Sequence, residues 1–202
     1  MTDRPFDTSD LEDDPLVLFQ HWLGEAREAS GYEAEAMAVA TATAMAAPSV
    51  RMVLLKGCDE RGLSFFTNYG SRKGTDLQAN PQAALLFHWP ALGRQVRVEG
   101  TVARLDRAET EAYAHSRPRP SQLSALASPQ SRPVPDREWL ERKVKELDIE
   151  HAEGELPVRE EWGGYRVEPH TWEFWQNREN RLHDRFRYER EADGWRIERL
   201  AP

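Results

Sequence analysis

The run Gln95–Val102 alternates without interruption, with Val96, Val98 and Val102 on one side and Gln95, Arg97, Glu99 and Thr101 on the other. A period of two predicts a strand with one face buried and one face wet, the pattern of an antiparallel sheet. Such a strand needs neighbours, and the chain offers them at short intervals. Met37–Thr43, Val50–Leu55, Leu63–Asn68 and Ala83–Trp89 read as strands in the first half. Gly164–Val167, Thr171–Gln176, Phe186–Arg190 and Trp195–Arg199 read as strands in the second. Val50–Leu55 is expected to be buried on both faces. Asp59–Gly62 and Asp193–Gly194 supply hairpin turns.

Helices are fewer and lie between these runs. Asp14 before Pro15 is a capped helix start, Leu16, Phe19, Leu23 and Ala26 repeat at helical spacing, and Gly31 closes the segment. A short helix follows a Ser71–Gly74 loop and stops before Pro81. Residues 107–117 and 136–152 are further helices, the last carried by Leu140, Val144 and Leu147. Pro118–Pro135, rich in Ser and Pro, is read as a long functional connection. The sum is a mainly β (α+β) fold, an antiparallel barrel with peripheral helices. Residues 1–13 are expected to be a flexible acidic segment and 14–202 a single domain.

The 202 residues suffice for one core without disulfides, and the lone Cys58 points to a reduced, cytoplasmic setting. The N-terminus lacks the apolar stretch of a signal peptide and no run reaches membrane-spanning length. The six His show no metal-like pairing. The net charge is −8, the wrong sign for a nucleic-acid surface. Against that background the cations fall in discrete blocks: Arg51–Lys56, Ser71–Gly74, Ser116–Arg119 and Arg181–Arg185. Blocks of this kind suit small anions, above all phosphate esters held by forked Arg contacts.

Each block also has a plainer reading. Arg51 and Lys56 sit on opposite faces of a strand, about 17 Å apart, so they serve two different groups or are simply strand-end charges. Ser71-Arg-Lys-Gly74 opens a helix and suits an anion, and is equally a solvated turn. Ser116-Arg-Pro-Arg-Pro-Ser121 holds two guanidiniums and two hydroxyls on a stiff loop, with Tyr113 one turn before Arg117. It makes a phosphate cradle of Tyr113, Arg117 and Ser121, or a helix end with favourable cations. Arg181, His183 and Arg185 share a face if their segment is extended; His183 suits acid–base work or a structural bond beside Asp184. Trp175 suits stacking on a flat ring, or the core.

Taken in order, these blocks resemble the pyridoxamine (pyridoxine) 5′-phosphate oxidases. The matching text is Arg51-Met-Val-Leu-Leu-Lys-Gly57, Phe66-Thr-Asn68, Ser71-Arg-Lys-Gly74, Arg94-Gln-Val-Arg-Val98 and Ser116-Arg-Pro-Arg119. It continues with Ser128-Pro-Gln-Ser131, Trp162-Gly-Gly-Tyr165, Glu173-Phe-Trp-Gln176, Arg181-Leu-His-Asp-Arg185 and Arg199-Leu-Ala-Pro202. The resemblance implies a split β-barrel that binds FMN at a homodimer interface. It implies oxidation of pyridoxamine 5′-phosphate or pyridoxine 5′-phosphate to pyridoxal 5′-phosphate, with O2 as acceptor. Carried over residue by residue, FMN contacts fall on Arg51, Met52, Val53, Leu54, Leu55, Lys56, Phe66, Thr67, Arg72 and Lys73. Further FMN contacts fall on Gln95, Gln130, Ser131, Trp175 and Arg185. Substrate contacts fall on Lys56, Tyr113, Arg117, Ser121, Arg181 and His183, the last two as the catalytic pair. No metal, nucleic acid or membrane is implied.

Three features depart from the family pattern. Residues 1–13 lack an Arg-Arg-x-Tyr segment, Pro120 stands where glycine is usual, and Ser124 and Leu126 replace Gly and Trp. Two other functions stay open at this point. One is a related split-barrel FMN oxidase acting on another ring, such as a phenazine-pathway intermediate. The other is a non-catalytic FMN or pyridoxal-phosphate binding protein.

Overall fold

Nine antiparallel strands form one sheet among residues 4–202, the part of the chain that the computed structural model describes. They are β1 (Ala36–Ala42), β2 (Pro48–Leu54), β3 (Gly57–Asp59), β4 (Gly62–Asn68), β5 (Gln82–Trp89), β6 (Arg94–Arg104), β7 (Trp162–Gln176), β8 (Asp184–Glu191) and β9 (Gly194–Arg199). The order is β2-β1-β5-β6-β7-β4-β3, with β8 on β7 and β9 on β8. Five α-helices lie around the sheet within the same residues: α1 (Pro15–Ser30), α2 (Arg72–Ala79), α3 (Arg107–Ser116), α4 (Arg119–Ala127) and α5 (Arg137–Glu150). This is the expected antiparallel split barrel with peripheral helices.

The split arises at β7. What reads in sequence as two strands, 164–167 and 171–176, is one strand of 15 residues. It pairs with β6 from Tyr165 to Gln176, with β4 through Trp162–Val167 and with β8 through Thr171–Gln176. The register on β6 shifts between Glu99 and Gly100, where His170 is left over as a bulge. Gly100 permits it: a Cβ there would lie 2.2 Å from the Glu168 carbonyl oxygen. Pro169, which has no N–H to give, sits at the same irregularity. The bend divides β7 into two halves with different partners.

The alternation of β6 behaves as read. Val96 and Val98 are fully buried and Val102 nearly so, while Arg97 faces solvent. Helix α1 covers the inner face. Asp14 caps it by accepting the Leu16 N–H at 2.9 Å, and Phe19 packs on Phe87 and Trp172 at ring separations of 4.9 and 5.3 Å. Trp22 meets Phe174 edge-on at 5.3 Å. The buried Trp89 indole donates to the Ala34 carbonyl at 3.0 Å, so its polar atom is satisfied. No helix among the described residues is long and apolar enough to cross a membrane.

Several expectations need correction. β2 is not buried on both faces: it is an edge strand, with Val50 and Met52 67% and 64% exposed. Periodicity cannot separate an edge from an interior strand when both are apolar. The Pro118–Pro135 connection contains α4, because Pro118 and Pro120 stand at its start, where prolines fit a helix. Ser71–Gly74 is the helix start itself, with Ser71 as N-cap. The expected flexible segment is, from Arg4 on, folded back: Phe6 is buried between Trp22 and Phe186, both ring separations being 5.0 Å. Residues 1–3 of that segment lie outside the described residues. Replacing Phe19 by Ala should cost about 3–5 kcal/mol of stability, the usual cavity penalty for a fully buried aromatic. Urea unfolding checks this, and a loss under about 1 kcal/mol would contradict the core assignment.

Candidate active site

The ends of β2 and β4, the start of α2 and the α3–α4 corner enclose a cleft of about 700 Å³. Met52, Val53, Leu54 and Lys56 form one wall, and Phe66, Thr67 and Lys73 form a second. Tyr113, Arg117, Ser121 and Gln130 close it from the helical side. All eleven were expected site residues, drawn from five separate stretches of sequence.

An aromatic stack supports that helical side. Phe66 and Tyr113 lie 3.8 Å apart at 20°, and Trp162 continues the stack 5.6 Å from Phe66. The Arg117 guanidinium sits 5.1 Å over the Trp162 ring, and its Nη2 donates to the Ser121 carbonyl at 3.0 Å. Two glycines make room for this. A Cβ on Gly164 would come within 2.9 Å of the Phe66 ring, and one on Gly163 within 2.1 Å of the Tyr69 hydroxyl. Trp162 was missed as a site residue, although it belongs to the Trp162-Gly-Gly-Tyr165 motif. The paired glycines were the available signal, since they mark a place where other groups press on the strand. Of the two guanidiniums and two hydroxyls in Ser116–Ser121, only Arg117 and Ser121 reach the cleft. Arg119 turns to Asp148 on α5 and Ser116 caps the Tyr113 carbonyl.

Lys73 is the electrostatic centre of the cleft. Its side chain is buried, and its ammonium donates to Thr67 Oγ1 at 2.8 Å, Gln130 Oε1 at 3.0 Å and Ser71 Oγ at 3.4 Å. All three partners are neutral oxygens. Burial, with the Arg51 guanidinium adding to it, pushes the Lys73 ammonium down to about 8. Lys56 differs: it reaches Glu35 at 3.0 Å. Burial alone would raise the Glu35 carboxyl, but Lys56 and Arg27 outweigh it and hold it below its usual value. Arg51 points away from Lys56, as the pleat requires, toward Thr41, Ser49 and Asp76.

The remaining expected residues are elsewhere. Leu55 is in the core, Arg72 is exposed on the first turn of α2, and Ser131 is exposed at a positive φ of 67°. Gln95, Trp175 and Arg185 stand side by side on β6, β7 and β8. His183 packs on Trp175 at 4.6 Å, and its Nδ1 accepts the Arg178 N–H at 3.1 Å, leaving Nε2 as the ring's donor. Arg185 is held by Glu173 through Nε and Nη2 at 2.9 and 2.7 Å, and by the Ala201 carbonyl at 2.7 Å. Arg181 is exposed in a left-handed turn, φ 61°, so Arg181, His183 and Arg185 are not one extended face: the strand begins only at Asp184. This second cluster does not line the cleft. Trp162 and Trp175 mark the opposite ends of β7, about 40 Å of strand contour apart.

The departures at Pro120, Ser124 and Leu126 have local explanations. Pro120 occupies the first turn of α4, where a helix N–H has no intrahelical partner to lose. The Ser124 hydroxyl donates to the Pro120 carbonyl at 2.9 Å. Leu126 is buried with Leu123 and Leu156 in a small satellite core.

Lys73 carries a pH signature. Its proton is lost near 8 when folded and nearer 10.5 when unfolded, so between those values the unfolded chain binds more protons and this group's contribution to stability rises with pH. Replacing Lys73 by Met should therefore raise the melting temperature of the ligand-free protein at pH 7, and the gain should shrink toward pH 10. Thermal unfolding at the two pH values measures it; a gain that grows with pH would be the wrong sign.

Residues 24–150 match the family model described as pyridoxamine 5′-phosphate oxidase. Residues 162–202 match the one described as the pyridoxine 5′-phosphate oxidase C-terminal dimerisation region. A pyridoxine/pyridoxamine 5′-phosphate oxidase of Rubrobacter xylanophilus is 54% identical over 94% of this chain and 87% of its own. One of Gluconobacter oxydans is 50% identical over the whole of both chains. Among solved structures, PhzG of Burkholderia lata in complex with tetrahydrophenazine-1-carboxylic acid superposes with a TM-score of 0.92. It is 35% identical and covers 99% of this chain and 98% of its own. A pyridoxamine 5′-phosphate oxidase-related, FMN-binding protein of Nostoc punctiforme shares the fold, with a TM-score of 0.71 at 19% identity over 91% of this chain and 95% of its own. With two family models and full-length relatives in agreement, this chain belongs to the pyridoxamine 5′-phosphate oxidase family.

Proposed function

We propose that this protein is an FMN-dependent oxidase acting as a homodimer on pyridoxamine 5′-phosphate and pyridoxine 5′-phosphate. Pyridoxine 5′-phosphate and O2 give pyridoxal 5′-phosphate and H2O2; the amine, O2 and water give the same products plus ammonia. The observation that carries this reading is the buried Lys73 ammonium, surrounded by neutral oxygens in a cleft with a second, separate cation at Arg117. A buried cation without a counter-charge is costly, and an anion relieves it. Lys73 and Arg117 share no partner, which suits two phosphates on two ligands.

The residues present fit FMN. Lys73, Arg51 and the capped start of α2 suit its phosphate, and the apolar Met52–Leu54 wall suits a flat ring. When bound, FMN supplies the two-electron acceptor that O2 regenerates. The protein's own work is alignment and charge. Arg117, Ser121 and Tyr113 hold the substrate phosphate, with Lys56 beside them. Arg181 orients the reacting carbon, and its permanent charge favours loss of the proton from the attached oxygen or nitrogen; His183 is a supporting polar contact.

Gln95, Trp175, Arg181, His183 and Arg185 reach this cleft only if they come from a second chain. The separation along β7, the exposed apolar edge of β2 and the match of residues 162–202 to a dimerisation region all support that arrangement. The likeness to PhzG favours a second reading, oxidation of another ring; the intact Tyr113, Arg117 and Ser121 cradle weighs against it. Under a third reading the protein only binds FMN or pyridoxal phosphate, without turnover.

The FMN-loaded protein should release one H2O2 per pyridoxine 5′-phosphate consumed; no peroxide would end the proposal and leave one of the other two. Arg117→Ala should raise KM about tenfold with kcat within about twofold; a loss confined to kcat would contradict its assigned role. Co-expressed Lys73→Met and Arg185→Met chains should regain about a quarter of wild-type flavin sites, since each mixed dimer has one intact site. No recovery, with mixed dimers isolated, would show that one chain holds both residues of a site.

A further inference from the structure

We infer that Thr41 and Asp76, neither of them in the flavin set above, are positioning residues that aim Arg51 and make the cleft select phosphorylated over unphosphorylated flavin. The inference rests on the flavin reading of the cleft. Thr41 and Asp76 are 3% and 5% exposed, and each is joined to Arg51. The Thr41 hydroxyl donates its single proton to Asp76 Oδ2 at 2.6 Å, which turns its lone pairs to Arg51 Nη1 at 2.8 Å. Nη1 also donates to the Val39 carbonyl at 3.2 Å, and Nη2 to Ser49 Oγ at 2.6 Å with Asp76 Oδ2 at 3.9 Å. The β1–β2 register explains the geometry: Arg51 stands opposite Val39 and Ser49 opposite Thr41, so the fork lies flat against β1.

The fork needs this anchoring because its neighbours repel it. Arg72 and Lys73 act on Arg51 as like charges, and Asp76 is the opposing carboxylate. Lys73 and Asp76 are three residues apart on α2 and so share a face. Three cations against one carboxylate leave two positive charges, the complement of a phosphate dianion. Thr41 joins the carboxylate on α2 to the guanidinium on β2 without taking charge from either. Removing its hydroxyl leaves Arg51 free to relax toward solvent, while the ring-binding walls are untouched.

The test is a fluorescence titration of the flavin-free protein with FMN and with riboflavin, which differ only in the phosphate. Thr41→Val, close to isosteric, should weaken FMN about tenfold, the loss of one charge-assisted hydrogen bond, and riboflavin less than about twofold. Thr41→Ser should keep the wild-type preference. In an Arg51→Met background Thr41→Val should add no more than about twofold for FMN, because both act through one group. Thr41→Ala, which removes the hydroxyl without setting a methyl against Asp76, must show the same fall and serves if the valine variant does not fold. Equal losses for both flavins would mean a merely structural role, and an unchanged FMN-to-riboflavin ratio would mean no role; either overturns the inference. A wild-type protein that does not prefer FMN to riboflavin would instead overturn the flavin reading itself.

Discussion

A single strand with three partners organises this molecule. β7 is paired on one side by β6 from Tyr165 onward, and on the other by β4 in its first half and β8 in its second. Where the partner on that second side changes from β4 to β8, β7 carries the bulge at His170, and the side-chain-free approach at Gly100 makes room for it. The candidate site residues follow the division. Trp162 at one end belongs to the cleft with Phe66 and Tyr113, and Trp175 at the other belongs with Gln95, His183 and Arg185. The two clusters lie toward opposite ends of one strand and do not line the same cleft, and the proposed site brings them together from two chains.

Charge is placed with the same economy. The chain is acidic as a whole, yet the cleft concentrates Lys56, Lys73 and Arg117 and leaves Lys73 among neutral oxygens. Outside the cleft, carboxylates hold the cations: Arg119 by Asp148, Arg97 by Glu173, Arg199 by Asp184. Arg185 and Lys56 stand between these cases, each tied to one Glu but keeping donors to spare. An ion-paired donor is oriented, and an unpaired one is strongly attractive to an anion; the site uses both.

Much of this was legible beforehand because local chemistry decided it. The Asp14-Pro15 start of α1, the Val96–Val102 alternation of β6 and the Asp193-Gly194 hairpin depend only on neighbours in sequence. The pair Tyr113 and Arg117 was also legible, since one helical turn fixes their common direction. The failures share another cause. Val50 and Met52 look like interior residues because an apolar edge and an apolar centre have the same composition. α4 was hidden by prolines that break a helix interior but suit its first turn. Phe6 lay in a polar stretch and was assigned to a mobile tail, although one aromatic ring between Trp22 and Phe186 is enough to dock it.

Sequence alone determined the class of fold, the membership suggested by its motifs, and which side chains are candidates for the chemistry, because pleat, helix pitch and residue type are properties of short segments. Only the tertiary structure decided how those side chains group. It put Lys73 among neutral oxygens and Arg119 against a carboxylate, though both are cations beside a helix start. It also sent the Arg181–Arg185 block to the far end of β7, away from the cleft its motif suggests. Grouping depends on contacts between residues far apart in the chain, and no local pattern encodes which partner a charge will meet.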